Sequence, residues 1–273
     1  MDLRKCIGFG VVSNFPGHLE QTGEVDEFAD VEVNESDAPK GLFPFYLPAN
    51  SGQFIDVYPL SANMIAKPRA GEDIQIESEV ALLCDLKYQD GKVVSLLPTH
   101  FAAYNDCSIR RSGTRKTSAH KNWGTDSKGI SSQFIEIDSF SAGGIMDNYK
   151  LGCYLRREDI THEYGVDSPL LEYSYFYEKL AAWLVDKMNS QKDEGALEDI
   201  SMLLATANRP SQAIISIGST CYTDFGEATY LQAGDEIFVI VYDGLLYKEP
   251  LDIIHAEGAL PDKGLSLLHQ TVL

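Results

Sequence analysis

The chain has 273 residues, 44% of them apolar, with 41 acidic and 22 basic side chains and a formal net charge of −19. That charge argues against nucleic-acid or anionic-membrane partners, which need basic patches, and no run of about 18 apolar residues offers a spanning helix. The five cysteines (Cys6, Cys84, Cys107, Cys153, Cys221) are scattered, with no CxxC pair. They read as reduced thiols, and with no leader-like N-terminus the expectation is a cytoplasmic protein.

Residues 6–12 read as a short opening strand. Residues 13–41 are rich in acids, Gly and Pro without a clean period, which suggests a lid or binding loop. From Leu42 onward the pattern is strand-like, punctuated by Pro44, Pro48, Pro59 and Pro68. The clearest hairpin spans residues 74–97, with Asp90-Gly91 at the turn. Weaker strands are expected at 133–137 and 151–155. Tyr173, Phe176, Tyr177, Leu180, Ala181, Leu184 and Met188 recur at helical spacing behind Ser168-Pro169, and a shorter helix is expected over 196–205. Strands return at 213–217 and 236–242. The sum is a β-dominated α+β chain, divided into N-terminal strands with an acidic lid segment (1–69) and a main domain (70–273).

Glu77 and Glu79 lie two apart, so in a continuous strand they share one face about 7 Å apart. Two ionised carboxylates repel each other increasingly as water is removed, and a hard divalent cation relieves that cost. Taken alone, the pair is a weak motif that reads first as two acids on a solvated strand face.

The next acidic segment, Asn105-Asp106-Cys107-Ser108-Ile109-Arg110, changes the weight. Together with the ExE strand it resembles the fumarylacetoacetate hydrolase family, whose members carry an ExE hairpin followed by an NDxSxR segment. Further matches follow in order: Lys128-Gly129 downstream of Trp123, Ile217-Gly218-Ser219-Thr220 where the family has TGTP, Leu231 to Ile237 at its PGD strand entry, and Tyr242-Asp243-Gly244-Leu245 at its closing turn. The resemblance implies a mixed β-sheet roll or barrel with few helices and an N-terminal lid. It also implies a homodimer and a Mg²⁺ site (or Mn²⁺ or Ca²⁺) held by Glu77, Glu79 and Asp106. Lys128 would face the bound substrate, its ammonium holding a carboxylate or enolate. Gly218, Ser219 and Gln133 would lie on the substrate side.

Asn14-Phe15-Pro16-Gly17-His18-Leu19-Glu20 resembles the family's lid stretch, in which a His and a Glu form an acid–base dyad. The position three after His18 is Gln21, however, and the acid stands at Glu20, with Glu24 near. A glutamine cannot serve as an ionised partner of imidazole. His18 and Glu20 are carried forward as catalytic candidates. The segment at Ile130-Ser131-Ser132-Gln133 and the loop IGSTCYTDFGE also depart from the family pattern, both where selectivity would be set. The resemblance therefore implies a metal-dependent hydrolase or lyase acting on a small 2-oxo, 2,4-dioxo or enol acid. The alternatives are a metal- and ligand-binding protein of the same fold with altered chemistry, and an acidic β-rich interaction module.

Overall fold

The computed structural model describes residues 2–28, 31, 33, 35–69, 71–110, 116–256 and 263–273. In chain order the first half forms β1 (Ile7–Val12), α1 (His18–Thr22), β2 (Gly41–Tyr46), β3 (Leu60–Ser61), β4 (Met64–Ile65), β5 (Asp73–Gln75), β6 (Ser78–Gln89), β7 (Lys92–Asn105), β8 (Ser108–Arg110), α2 (Ser118–Lys121), β9 (Lys128–Ile130) and β10 (Ile135–Glu136). There follow β11 (Tyr149–Arg157), β12 (Ile160–Pro169), α3 (Tyr177–Ser190), α4 (Ile200–Thr206), β13 (Gln212–Ser216), α5 (Asp224–Glu227), β14 (Glu236–Asp243), α6 (Pro250–His255) and β15 (Leu265–Val272).

The larger sheet runs β2-β1-β13-β6-β7-β9-β3, with β10 also on β7, and the second runs β12-β11-β14-β15-β4. Both are mixed: β1 pairs parallel to β13, and β4 parallel to β15. The β6–β7 hairpin is the spine of the larger sheet. It closes on Asp90 (φ 51°) and Gly91 (φ 80°), the two left-handed positions that a two-residue hairpin turn requires.

Alternation along β6 sends Val80, Leu82 and Cys84 into a core shared with Leu151, Cys153 and Leu155 of β11 and with Ile237, Val239 and Val241 of β14. Ala81 and Leu83 point the other way, against Phe43, Phe45, Ala102 and Ile214. The central hairpin is therefore buried on both faces, a β-dominated roll in which the two sheets enclose one core. A third cluster places Ile253 and Ile254 of α6 on the outer face of β14.

Three expectations are revised. The strand expected to run unbroken through residues 74–80 breaks at Ile76-Glu77: β5 leaves the large sheet and pairs with β8 instead. The helix expected from Tyr173 begins at Tyr177. Its cause is Asn14, whose side-chain amide accepts Tyr175 N–H at 2.9 Å and donates to Tyr175 O at 3.0 Å, taking both backbone groups of that residue away from a helix. The stretch 13–41 carries structure of its own, namely α1 and a 3₁₀ turn at Val25–Phe28.

The glycines of Ile7-Gly8-Phe9-Gly10 have a packing cause. A Cβ on Gly8 would stand 2.2 Å from the Phe45 ring, and one on Gly10 would stand 2.1 Å from the Phe43 ring. The two rings of β2 pack directly against β1 because nothing projects there. Gly8→Ala is therefore expected to destabilise the fold by about 1–3 kcal/mol through overpacking. The check is a urea midpoint lowered at unchanged m-value; an unchanged midpoint would contradict the packing account.

Candidate metal centre

Two chain breaks face each other and make the site. Glu77 occupies the gap between β5 and β6, and Asp106 the gap between β7 and β8. The breaks are locked at one level: Asp106 N–H donates to Glu77 O at 2.8 Å, and Glu77 N–H donates to Asn105 Oδ1 at 3.3 Å. Asn105 in turn donates to Gln270 Oε1 of β15 at 3.0 Å, fixing the gap against the second sheet. Glu79, one residue into β6, completes the group. One carboxylate oxygen from each of Glu77, Glu79 and Asp106 lies within 4.8 Å of the others, and the three residues are 4, 3 and 0% exposed.

Charge compensation is uneven. Arg110 reaches Glu77 Oε1 at 2.7 Å and Glu24 Oε1 at 2.8 Å, and it also donates to Gln75 Oε1 and the Tyr222 hydroxyl. Lys121 lies 2.5 Å from Glu77 Oε2 and 2.7 Å from Asp106 Oδ2. Burial works to raise the Glu77 carboxyl, but Lys121 and Arg110 outweigh it and hold the group well below the usual carboxylate range. Glu79 behaves oppositely. Among the described residues no lysine or arginine pairs with it; it accepts Gly218 N–H at 2.9 Å. Burial, and then repulsion from Asp106, push its carboxyl well above the usual range.

The donor set fits a divalent cation. Three hard carboxylates converge from a rigid hairpin, and one of them has no cationic partner. Both Asp106 oxygens are buried with no aligned hydrogen-bond donor, although Lys121 and Lys128 stand 2.7 and 2.9 Å from them. Buried carboxylate oxygens ordinarily find donors.

The remaining sequence candidates fall at varied places. Lys128 is fully buried and directs its ammonium to Asp106 Oδ1 at 2.9 Å, Asp106 O at 2.8 Å and Cys107 O at 2.7 Å. Two of its ammonium hydrogens are taken by the backbone carbonyls and its charge faces the carboxylate, so the lysine braces the aspartate from beneath. Gly218 adopts φ +110°, a conformation that favours glycine, and thereby aims its N–H at Glu79. Ser219 is buried and donates to Thr220 O. Gln133 accepts Leu267 N–H at 3.0 Å, a brace to β15.

His18 opens α1, and its ring lies 5.2 Å from that of Tyr222. Its Nδ1 is buried without a hydrogen-bond partner among the described residues. Gln21, at the position where the family has glutamate, clamps α1 down instead: it donates to Tyr222 O at 3.2 Å and accepts Tyr222 N–H at 2.9 Å. Glu20 is exposed, and Glu24 is engaged with Arg110. Arg110, Lys121 and Tyr222 were not singled out from the sequence. Arg110 was visible within the NDxSxR match, whereas Lys121 and Tyr222 carry no local signal. A cavity of about 730 Å³ adjoins the outer side of the site at Ile109, Asn122, Trp123, Lys67 and Arg69, and the three carboxylates do not line it.

Burial lowers the His18 pKa to about 4, with the Arg110 and Lys121 charges adding to the effect and Glu77 opposing it. The folded imidazole thus stays neutral while an unfolded one protonates near 6.5. Its contribution to stability is accordingly lost as pH falls from about 6.5 towards 4. Replacing His18 by Gln is expected to shallow the loss of unfolding free energy between pH 7 and pH 5. Parallel wild-type and variant curves from urea titrations at each pH would contradict the buried neutral imidazole.

Residues 24–272 match the family of unknown function DUF5718, and no curated protein sequence matches the chain. Among solved structures, Cg1458 with an inhibitor superposes with a TM-score of 0.56 at 16% identity, over 98% of this chain and 76% of that one. A 2-keto-3-deoxy-D-arabinonate dehydratase complexed with magnesium and 2,5-dioxopentanoate gives 0.54 at 13% identity, over 97% and 72%. A protein assigned to the fumarylacetoacetate hydrolase family from Yersinia pestis CO92 gives 0.51 at 12% identity, over 98% and 93%. The chain therefore belongs to the DUF5718 family and has the fumarylacetoacetate hydrolase fold.

Proposed function

We propose that the protein is a divalent-metal-dependent enzyme of the hydrolase or lyase type that acts on a small 2-oxo, 2,4-dioxo or enol acid. The observation that carries this reading is the buried Glu77–Glu79–Asp106 triad, in which, among the described residues, Glu79 has no cationic partner and the Asp106 carboxylate no aligned donor. A similar fold in a dehydratase complexed with magnesium and a dioxo acid supports Mg²⁺ as the ion, with Mn²⁺ and Ca²⁺ sharing its preference for oxygen. A divalent ion in this position would supply Lewis-acid polarisation of a chelating 2-oxo carboxylate.

The chain's own residues divide the remaining work. Lys128 and Gly218 N–H orient Asp106 and Glu79. Arg110 spans Glu77 and Glu24 with its planar guanidinium and holds both carboxylates in place. His18 is neutral at pH 7, with a buried and unpartnered Nδ1 able to accept a proton from water or from a substrate C–H. The Tyr222 ring beside it and the Gln21 clamp fix its place. C–C hydrolysis, decarboxylation, hydration and isomerisation all draw on such a base beside a polarised carbonyl. We further propose a homodimer in the cytoplasm.

A second reading is a binding protein that keeps the site and lacks turnover. The engagement of Gln21 with the Tyr222 backbone and the exposure of Glu20 favour it, since neither supplies His18 with a carboxylate.

The first test is thermal unfolding of EDTA-treated protein with and without millimolar Mg²⁺ or Mn²⁺, beside Glu79→Gln. That variant leaves the lysine and arginine pairs intact, so it isolates the ion's contribution. A ligand confined to the folded state stabilises by about 2.7 kcal/mol at a hundredfold excess over Kd. The expected result is a rise in wild type that Glu79→Gln abolishes, followed by His18-dependent turnover of a 2-oxo acid. Binding without turnover would select the second reading, and no rise at any concentration would leave the triad an ion-pair network.

A further inference from the structure

Lys121 occupies the place between Glu77 and Asp106 that a bridging ion needs. Its ammonium contacts Glu77 Oε2 at 2.5 Å, Asp106 Oδ2 at 2.7 Å and Ser108 Oγ at 2.7 Å, and the residue is 5% exposed. A magnesium ion bonds oxygen at about 2.1 Å and resists crowding of its octahedron. An ion at that distance from the same two oxygens would be pressed against the ammonium, like charge on like charge in a buried site. The two cations are therefore alternatives.

We propose that Lys121 is a resident counter-ion of the metal centre, which neutralises Glu77 and Asp106 when no divalent ion is bound and withdraws when one enters. The proposal rests on the reading of the triad as a metal site. The backbone cannot carry the withdrawal, because the side chain of the next residue, Asn122, donates to Phe45 O at 2.8 Å and to Val57 O at 3.0 Å. The movement falls to the four-carbon stem of the lysine. The Phe43 ring, 5.3 Å from the ammonium, offers a cation–π face to one side. Lys128 does not share this role, since its ammonium is held by two backbone carbonyls as well as by Asp106. The consequence is that metal binding is weaker than three buried carboxylates alone would give, because each binding event breaks two ion pairs.

The experiment is calorimetric titration of Mn²⁺ into EDTA-stripped wild type, Lys121→Met and Lys121→Gln, each checked for folding by circular dichroism. Removing a competing buried charge is expected to tighten Mn²⁺ binding by about tenfold or more. A labelling arm needs no variant: acylation of lysines, read by mass spectrometry, should find Lys121 protected without metal and more reactive at saturating Mn²⁺. If both variants misfold, that arm decides. Equal or weaker Mn²⁺ binding by the folded variants, or labelling of Lys121 unchanged by Mn²⁺ that wild type binds, overturns the counter-ion role and leaves the metal centre standing. Absence of Mn²⁺ binding in all three proteins overturns both.

Discussion

Burying several carboxylates in one gap of a β-hairpin is the constraint around which this protein is arranged. Glu77, Glu79 and Asp106 are almost fully removed from solvent, and ions so placed are costly unless paired and hydrogen-bonded. Every nearby element contributes to that compensation. The β5–β8 pairing carries Arg110 to Glu77, α2 carries Lys121 to Glu77 and Asp106, and β9 carries Lys128 beneath Asp106. The Gly218 turn after β13 supplies a backbone donor to Glu79. Among the described residues Glu79 is the member this arrangement leaves without a cationic partner, and the proposed metal site rests on that imbalance.

The same constraint links the N-terminal segment to the site. α1 is held on the Cys221-Tyr222 segment by both polar atoms of the Gln21 side chain and by the Cys221 thiol donating to Pro16 O. That anchorage sets the His18 ring beside Tyr222, whose hydroxyl accepts from Arg110 and donates to Ile76 O next to Glu77. α1, the arginine and the first carboxylate thus form one hydrogen-bonded unit.

How much of this was legible in the sequence follows from how local each signal is. Glu77, Glu79 and Asp106 could be read because short motifs stood in a recognisable order, and Asp90-Gly91 because turn chemistry is set by two residues. The break at Ile76-Glu77 was hidden because the alternation of Ile74-Gln75-Ile76-Glu77-Ser78-Glu79-Val80 runs straight across it with no Gly or Pro to mark it. The late start of α3 was hidden as well, because its cause is Asn14, more than 150 residues earlier in the chain. Lys121 had no signal at all. It lies on a four-residue helix, and its role arises only where α2 approaches the hairpin gap. Gln21 was visible as a departure at the dyad position, yet its clamp on Tyr222 depends on a partner some 200 residues away.

The most direct test of the account is a crystal structure of the EDTA-stripped protein soaked in Mn²⁺, with an anomalous difference map recorded. The account predicts a single strong peak about 2 Å from carboxylate oxygens of Glu77, Glu79 and Asp106, with the Lys121 ammonium moved off both Glu77 and Asp106. A map without density among the three carboxylates at saturating Mn²⁺, with Lys121 still bridging them, would contradict it.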